Sequence, residues 1–201
     1  MAWQLEKEYI KLEEEAKQDH IPIMQRDGIL FLLSQCYQYD CHSCLEIGSA
    51  IGYSALMMAG NLPNFYVETL ERDESRYNRA VDNIKKYEET KNITIHLADA
   101  LLFSGEKLTR DSYDCLFIDG AKAQYQKFFE KYMPYISKNG ICIVDNLDFH
   151  GMVADIPNIK NRGTRQLVTK IKRFRQWIET QEQYTVDYYP VGDGVCIIRR
   201  R

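Results

Sequence analysis

Apolar residues recur with a helical period through the N-terminal part of the chain. An apolar stripe lies among Glu and Lys residues, and it is formed by Leu5, Tyr9, Ile10, Leu12 and Ala16. This spacing predicts a surface helix over the first twenty residues. Pro22 interrupts the pattern, and a second helix is predicted over residues 24–37.

Strand-like and helix-like patterns then alternate along the chain. The predicted strands are residues 43–47, 65–70, 93–97, 113–118 and 140–144. The predicted helices are residues 53–59, 75–87, 125–136 and 165–179. Two more strand patterns, 184–189 and 195–199, flank a Gly-Asp-Gly turn and predict a hairpin. The alternation predicts an α/β fold, with a mostly parallel sheet, helices on both faces and an antiparallel edge.

Length, charge and hydropathy narrow the class of protein. The 201 residues predict a single domain over 1–201, with residues 1–40 as an N-terminal helical cap or lid. The net charge of -3 gives no general nucleic-acid signature, and no apolar run reaches the roughly 20 residues of a membrane helix. The first residues lack the basic start and apolar core of a secretory signal. We therefore expect a cytoplasmic protein with no membrane contact.

The six cysteines are scattered, and four of them lie in apolar runs. In a cytosolic chain they are expected to be reduced core residues. The segment Cys41-His42-Ser43-Cys44 has the spacing of a redox or zinc motif. That role is disfavoured because no second Cys/His pair completes a zinc site and the segment opens a strand.

Acids or amides follow each of the five predicted parallel strands. They are Glu46, Glu71, Asp99, Asp119 and the pair Asp145-Asn146. In an open α/β sheet the carboxyl ends of the strands face the ligand crevice. Any one of these residues alone could be a helix cap or a turn former. Five together predict a ligand site at one edge of the sheet.

The turn after the first strand indicates the kind of ligand. It carries the carboxylate of Glu46 beside Gly48 and has no Lys, so it suits a cationic, hydroxyl-rich ligand such as S-adenosylmethionine better than a phosphate. Glu71 could accept both ribose hydroxyls of an adenosyl ligand. Asp99 could contact the adenine amino group, or it could cap the next short helix.

Asp119, Asp145 and Asn146 supply two carboxylates and an amide oxygen, which are hard ligands suited to Mg²⁺. The alternative for Asp145-Asn146 is a local Asx turn. Lys122 follows Asp119 by three residues. A divalent cation beside an ammonium group favours loss of its proton, so Lys122 could act as a base.

Several motifs together carry a family resemblance over about residues 20–201. They are Leu45-Glu46-Ile47-Gly48-Ser49-Ala50-Ile51-Gly52-Tyr53-Ser54, Glu71-Arg72-Asp73, Phe117-Ile118-Asp119-Gly120-Ala121-Lys122, Asp145-Asn146 and Gly192-Asp193-Gly194. The chain resembles the cation-dependent, catechol-type class I O-methyltransferases, and most of all their bacterial members that act on 5-hydroxyuridine in tRNA. The resemblance implies a seven-stranded Rossmann-like sheet with an antiparallel last strand.

The resemblance also implies ligands and roles. It assigns S-adenosylmethionine to a set formed by Met24, Glu46, Gly48, Ser54, Glu71, Asp99, Ala100 and Asp119. It assigns Mg²⁺ or Mn²⁺ to Asp119, Asp145 and Asn146, and catalysis to Lys122 and Asp119. Members of the family commonly form homodimers, so a homodimer is expected.

The acceptor remains open between two classes. A catechol and a 5-hydroxyuridine both present two adjacent oxygens, so one metal site could serve either. From Lys160 to Arg175 every charged residue is basic, which suits phosphate contacts. We therefore expect 5-hydroxyuridine at the wobble position of tRNA, with Arg162, Arg165 and Lys172 on its phosphates. The alternatives are a solvated helix face and a small catechol or phenol as substrate.

Overall fold

The computed structural model describes residues 7–86 and 92–201. The helices are α1 (Lys7–Gln18), α2 (Arg26–Gln38), α3 (Tyr53–Asn61), α4 (Glu74–Lys86), α5 (Tyr125–Tyr132) and α6 (Arg162–Glu179). The strands are β1 (Ser43–Ile47), β2 (Tyr66–Glu71), β3 (Ile93–Leu97), β4 (Tyr113–Ile118), β5 (Ile136–Val144), β6 (Tyr184–Tyr189) and β7 (Val195–Arg200). Of the predicted positions, Leu5 and Tyr87 lie outside the described residues.

The seven strands form one sheet in the order β3-β2-β1-β4-β5-β7-β6. The first five strands in this order are parallel, while β7 runs antiparallel to both β5 and β6. The predicted class is therefore confirmed. The chain leaves β1 towards β2 on one side and reaches β4 on the other. The strand order thus reverses at β1 and β4, which is where open α/β sheets place a ligand crevice.

Two apolar layers cover the sheet, as expected for parallel strands that are buried on both faces. One layer packs α2 and α3 against the sheet, and Leu32, Met57 and Phe117 are among its fully buried side chains. The other packs α5 and α6, with Tyr132 and Ile171 fully buried. All of β1 lies in the interior. The ends of these strands are therefore fixed by a rigid core.

The N-terminal helix is tied to the rest of the domain by polar contacts. Glu13 on α1 accepts hydrogen bonds from the Tyr53 hydroxyl and from the Arg26 guanidinium, whose Nε lies 3.1 Å from Glu13 Oε2. Asp19 lies 2.5 Å from Arg79 on α4. These contacts place α1 against α2, α3 and α4. No helix in the described parts of the chain is long and apolar enough to cross a membrane.

The segment between α5 and β5 differs from its prediction. The helix predicted over 125–136 ends at Tyr132, and a short 3₁₀ turn, Met133–Tyr135, leads directly into β5. Pro134 explains the change, because proline has no N–H with which to continue the α-helical ladder. The strand consequently begins at Ile136, before the predicted start at residue 140.

The cysteines are all free and buried. The β1–β4 register sets Cys44 beside Cys115, and the Cys41 amide donates to the Cys36 carbonyl at 2.8 Å. Burial raises the pKa of the Cys44 thiol to about 11. Buried thiols of this kind are inert, which agrees with their prediction as core residues.

A buried carboxylate, Glu68, ties β2 to β3 and β4. It lies 2.7 Å from His96 Nε2, accepts from the Thr109 amide at 3.1 Å, and accepts from the Tyr113 hydroxyl. Burial raises the pKa of Glu68, but the hydrogen bonds from His96, Thr109 and Tyr113 outweigh it and lower the pKa overall. The ionised carboxylate is therefore a stabilising part of the native fold.

Candidate active site

A cavity of about 820 Å³ opens at the carboxyl edge of the sheet. Its walls come from the segments that follow β1, β2, β3, β4 and β5, together with the β6–β7 turn. The cavity is therefore at the reversal of strand order. Among the predicted site residues, those on its wall are Gly48, Glu71, Asp99, Ala100, Asp119, Lys122 and Asn146.

The loop between β1 and α3 is shaped by glycine and held by Glu71. Gly48 has a φ of +98°, and a side chain there would meet the Asp119 carbonyl oxygen at 2.9 Å. Glu71 accepts hydrogen bonds from the amides of Ala50 and Asp73, each at 2.9 Å. One carboxylate thus joins the loop after β1 to the loop after β2 while lying on the cavity wall. Its predicted ribose contact would use the remaining lone pairs.

Three predicted cofactor residues lie behind the wall rather than on it. Met24 is buried against Gly28, Glu46 is fully buried, and the Ser54 hydroxyl donates to Glu46. Burial raises the pKa of Glu46 to about 7. None of the three lines the cavity. Their predicted role in cofactor binding would therefore be indirect, because these side chains support the cavity wall from behind.

Unpartnered polar atoms beneath the same loop test whether the cradle fits the predicted cofactor. Glu46 Oε2 and Ser49 Oγ are buried and have no hydrogen-bond partner among the described residues. Buried oxygens without partners are costly, which favours a polar ligand group at this position. An acceptor-rich loop of this kind fits the amino group of S-adenosylmethionine, and the cavity is large enough for it.

Asp99 faces the cavity and forms a turn, while the cap of the next short helix, Gly105–Lys107, is Ser104 and not Asp99. Its carboxylate accepts from the Leu101 amide at 2.8 Å, and its carbonyl accepts from the amides of Leu102 and Phe103. The next residue is fixed as well, because the Ala100 carbonyl accepts from the Tyr132 hydroxyl at 2.6 Å. Asp99 is thus a turn former that could still contact a ligand.

The predicted metal ligands come together with Lys122. The Lys122 ammonium lies 4.0 Å from Asp119 Oδ1 and donates to Asn146 Oδ1. Asp145 is buried directly behind them, and its carbonyl accepts from the Tyr125 hydroxyl at 2.8 Å. The segments after β4 and β5 therefore bring the side chains of Asp119, Asp145 and Asn146 together near the Lys122 ammonium.

The electrostatics of this cluster are those of crowded carboxylates. Burial raises the pKa of Asp119 well above its ordinary value; the nearby Asp145 raises it further, and Lys122 lowers it. Burial likewise raises the pKa of Asp145 to about 6. A single ammonium does not balance the two acids, of which Asp145 is buried and Asp119 lies partly exposed on the cavity wall.

The donor set of this cluster decides which cation it suits. It holds two carboxylates and an amide oxygen. Elsewhere, too, the described residues contain no group of three His, Cys, Asp or Glu side chains arranged to hold a metal. Oxygen ligands with open positions suit Mg²⁺ or Mn²⁺ rather than zinc. The residues therefore fit the predicted cation.

Asp193 is a cavity residue that the sequence did not single out as a site. Its motif, Gly192-Asp193-Gly194, predicted a turn, and no local signal indicated contact with the loop after β5. In the structure Asp193 lines the cavity and lies near Asn146 and His150. The available signals were its acidic side chain between two glycines and the place of this motif among those that carry the family resemblance.

The predicted phosphate contacts lie outside the cavity. Arg162 and Lys172 are exposed on α6, and Arg165 donates to the Ile159 carbonyl at 2.9 and 2.6 Å. Arg165 is thus occupied in bracing the loop before its own helix. Arg175 is occupied as well, since it pairs with Asp148 at 2.9 Å.

Comparison with known proteins identifies the family of the chain. A family model described as O-methyltransferase matches residues 4–201. The chain is 27% identical over 161 residues to a caffeoyl-CoA O-methyltransferase of Populus kitakamiensis, covering 78% of this chain and 68% of that protein. It is 26% identical to the tapetum-specific methyltransferase 1 of Arabidopsis thaliana, covering 87% and 76%.

Solved structures give the same result. A Staphylococcus aureus protein, provisionally assigned as a caffeoyl-CoA O-methyltransferase, superposes with a TM-score of 0.92 and 33% identity, covering 98% of this chain and 93% of that one. The SAH-bound methyltransferase PaMTH1 of Podospora anserina has the same fold, with a TM-score of 0.85 at 21% identity and coverage of 98% and 89%. The chain belongs to the O-methyltransferase family and is an enzyme of that class.

Proposed function

We propose that the protein transfers a methyl group from S-adenosylmethionine to a hydroxyl of a small catechol-like or phenolic acceptor, with the help of Mg²⁺ or Mn²⁺. The observation that carries the proposal is the meeting of two features in one cavity. The Gly48 loop and Glu71 form one wall, and the cluster of Asp119, Asn146 and Lys122 forms the other. A donor and an acceptor can thus be held side by side.

The first wall would bind and orient the methyl donor. Glu71 offers charged acceptor oxygens to ribose hydroxyls, and the Asp99 loop offers an edge for adenine. The unpartnered oxygens of Glu46 and Ser49 support binding of the amino group beneath the loop. Fixing two reactants in line can supply about 7–11 kcal/mol of such a barrier.

The second wall would bind and activate the acceptor. Asp119, Asp145 and Asn146 would hold the cation, which lowers the pKa of a chelated hydroxyl when bound. With the cation bound beside it, Lys122 would first release its own proton to solvent. Its neutral amine would then receive the acceptor's proton at Nζ, because this atom lies within the same cluster and faces the cavity. The direct displacement then leaves no covalent intermediate on the enzyme.

Small acceptors are preferred because the curated relatives carry the names of small-molecule methyltransferases. The family relationship supports a phenolic hydroxyl next to a second oxygen, and the cavity has room for one ring beside the donor. Which phenol is used depends on side chains at the rim, where Phe149 and Leu167 are apolar.

The second candidate, 5-hydroxyuridine in tRNA, is favoured by one specific observation. Five basic side chains between residues 160 and 173 are exposed and have no ion pair among the described residues; they are Lys160, Arg162, Lys170, Lys172 and Arg173. Cations without an ion pair suit phosphates, and α6, which carries four of the five, also supplies Leu167 to the cavity wall. Arg165 is a weaker candidate than the sequence indicated, because the Ile159 carbonyl already occupies it.

The test compares acceptors under one set of conditions. Purified enzyme, labelled S-adenosylmethionine and Mg²⁺ are incubated with a catechol, with free 5-hydroxyuridine, or with tRNA from a strain lacking the gene. We expect faster transfer to the catechol and loss of transfer in EDTA, with recovery on adding Mn²⁺. Transfer that continues in chelator would remove the cation from the proposal.

A charge variant separates the two acceptor classes. Changing Arg162 and Lys172 to Gln should leave catechol methylation unchanged. If tRNA is the substrate, the variant raises its KM and lowers the log–log salt slope by roughly one unit per lost phosphate contact. The matched control changes Lys85 and Lys138 to Gln, since both are exposed near the opposite edge of the sheet. A specific effect on tRNA would favour the second candidate.

A further inference from the structure

The β6–β7 turn supports the loop that carries the predicted cation ligands. The Leu147 amide donates to the Gly194 carbonyl at 2.8 Å, and the Asp148 amide donates to the Asp193 carbonyl at 2.9 Å. The Asp193 side chain is buried and accepts a hydrogen bond from the His150 amide. The turn therefore clamps residues 146–150 from one side.

The clamped loop has an unusual backbone. Asn146, Phe149 and His150 have φ values of +59°, +45° and +55°. Residues other than glycine occupy this region at a cost and stay there when their surroundings hold them. Gly194 must approach closely, because a side chain there would meet Asp148 Cγ at 2.6 Å. The β6–β7 turn therefore packs closely against residues 146–150 and holds their backbone conformation.

The contact with Asn146 has a direct chemical consequence. Asn146 Nδ2 donates to Asp193 Oδ2 at 3.4 Å, while Asn146 Oδ1 accepts from Lys122. A carboxylate only accepts and an ammonium only donates. Turning the amide over would set oxygen against oxygen and NH₂ against NH₃⁺. Asp193 therefore selects the orientation in which the Asn146 oxygen points towards Lys122 and the cluster of acids.

We propose that Asp193 is a positioning residue, which orients the Asn146 amide so that its oxygen, and not its NH₂ group, is presented to the cation. The inference rests on the proposed function, since the oxygen matters as a cation ligand. Asp193 acts through Asn146 and the loop, and it needs no contact with substrate.

The decisive variant is Asp193→Asn, which keeps the size of the side chain. The His150 amide needs an oxygen opposite it, so the new NH₂ group faces Asn146 Nδ2. Two donors then oppose each other. The contact that fixes the Asn146 amide becomes repulsive, and either orientation of the amide now sets it against a donor, at position 193 or at Lys122. Loss of a group that orients a ligand typically weakens metal binding about 10–100-fold. We expect that loss in Mn²⁺ affinity, measured by electron paramagnetic resonance or calorimetry, with S-adenosylhomocysteine affinity unchanged.

Two further variants exclude a general weakening of the loop. Asp148→Asn breaks the ion pair with Arg175 in the same loop and leaves Asn146 untouched, so Mn²⁺ affinity should stay within about twofold of the wild type. The double variant Asn146→Asp with Asp193→Asn should recover Mn²⁺ binding. The carboxylate introduced at position 146 accepts from the NH₂ group introduced at position 193, and it presents an oxygen to the cation without turning over.

Two outcomes overturn the inference. Wild-type Mn²⁺ affinity in folded Asp193→Asn refutes the orienting role, and so does an equal loss in Asp148→Asn. The side-chain amide resonances of Asn146 provide a metal-free measurement: hydrogen bonding to Asp193 should protect them from exchange, and Asp193→Asn should remove the protection. Protection in a wild type that binds no Mn²⁺ would instead refute the proposed cation while leaving the orienting contact intact.

Discussion

Replacement of Gly48 by Ala tests whether the loop after β1 must approach the end of β4. A Cβ at this position would lie 2.9 Å from both the Asp119 carbonyl oxygen and Gly120 Cα. These are backbone atoms, so they cannot rotate away. The positive φ costs a non-glycine residue about 1–2 kcal/mol, and overpacking typically costs about 1–3 kcal/mol more. We expect Gly48→Ala to lose about 2–5 kcal/mol of the free energy of unfolding.

Gly151→Ala provides the matched control. Gly151 has a φ of +76°, and nothing lies within 4 Å of its added Cβ, so this variant carries the backbone cost alone. In equilibrium urea unfolding, the free energy of unfolding of Gly48→Ala should therefore be about 1–3 kcal/mol lower than that of Gly151→Ala. For a domain of this size that difference is about 2–12 °C in Tm. Calorimetry should also show weaker S-adenosylhomocysteine binding in Gly48→Ala only. Equal stability and equal affinity in the two variants would refute the reasoning.

Three further predictions concern charged side chains. Glu71→Gln should weaken S-adenosylhomocysteine binding about tenfold or more, since hydrogen bonds to charged groups contribute about 1.5–3 kcal/mol; unchanged affinity in calorimetry would make Glu71 a loop brace only. Lys122→Met should slow methyl transfer by about 10²–10⁴-fold while cofactor affinity stays the same, and wild-type turnover would contradict its role as a base. Glu68 has a lowered pKa, so its stabilisation is present above the ordinary Glu pKa of about 4.3 and is lost as pH falls through the folded value. Urea unfolding at pH 7 and pH 3 should show a smaller loss in Glu68→Gln than in the wild type, and an equal loss would contradict the assignment.

The sheet could be predicted from sequence because its strands are short apolar runs separated by helical periods. Buried parallel strands such as β1 and β4 carry that pattern with little interruption. The boundary at Ile136 was missed because the apolar residues before it continue a helical spacing past Pro134. Periodicity finds elements well, while a single proline decides where one of them ends.

The site was predicted less evenly, and the difference follows from strand geometry. Residues just beyond a strand, such as Asp119 and Asn146, and the last residue of β2, Glu71, lie on the cavity wall. Glu46 is still inside β1, and its side chain is enclosed by the sheet and by Ser54. The carboxyl ends of β1, β4 and β5 were predicted at the observed residues, 47, 118 and 144. What separates wall from interior is therefore the direction of each side chain, which a hydrophobic pattern does not give for strands buried on both faces.

The role of Asp193 depends on topology rather than on local sequence. Because β7 runs antiparallel to β5, the residues just before β7 lie beside the carboxyl end of β5, and the register pairs Val144 with Cys196. A seventh strand in the parallel sense would instead begin at the opposite edge of the sheet. The antiparallel hairpin therefore brings an acid from the end of the chain to Asn146, which lies 47 residues earlier in the sequence. A variant with one glycine inserted after Asp193 tests whether that placement has a function. In this variant β7 can keep its pairing with β5 while the Asp193 carboxylate shifts. Mn²⁺ affinity should therefore fall, as it should in Asp193→Asn. A turn insertion that leaves Mn²⁺ affinity unchanged would show that the hairpin closes the sheet and does nothing more.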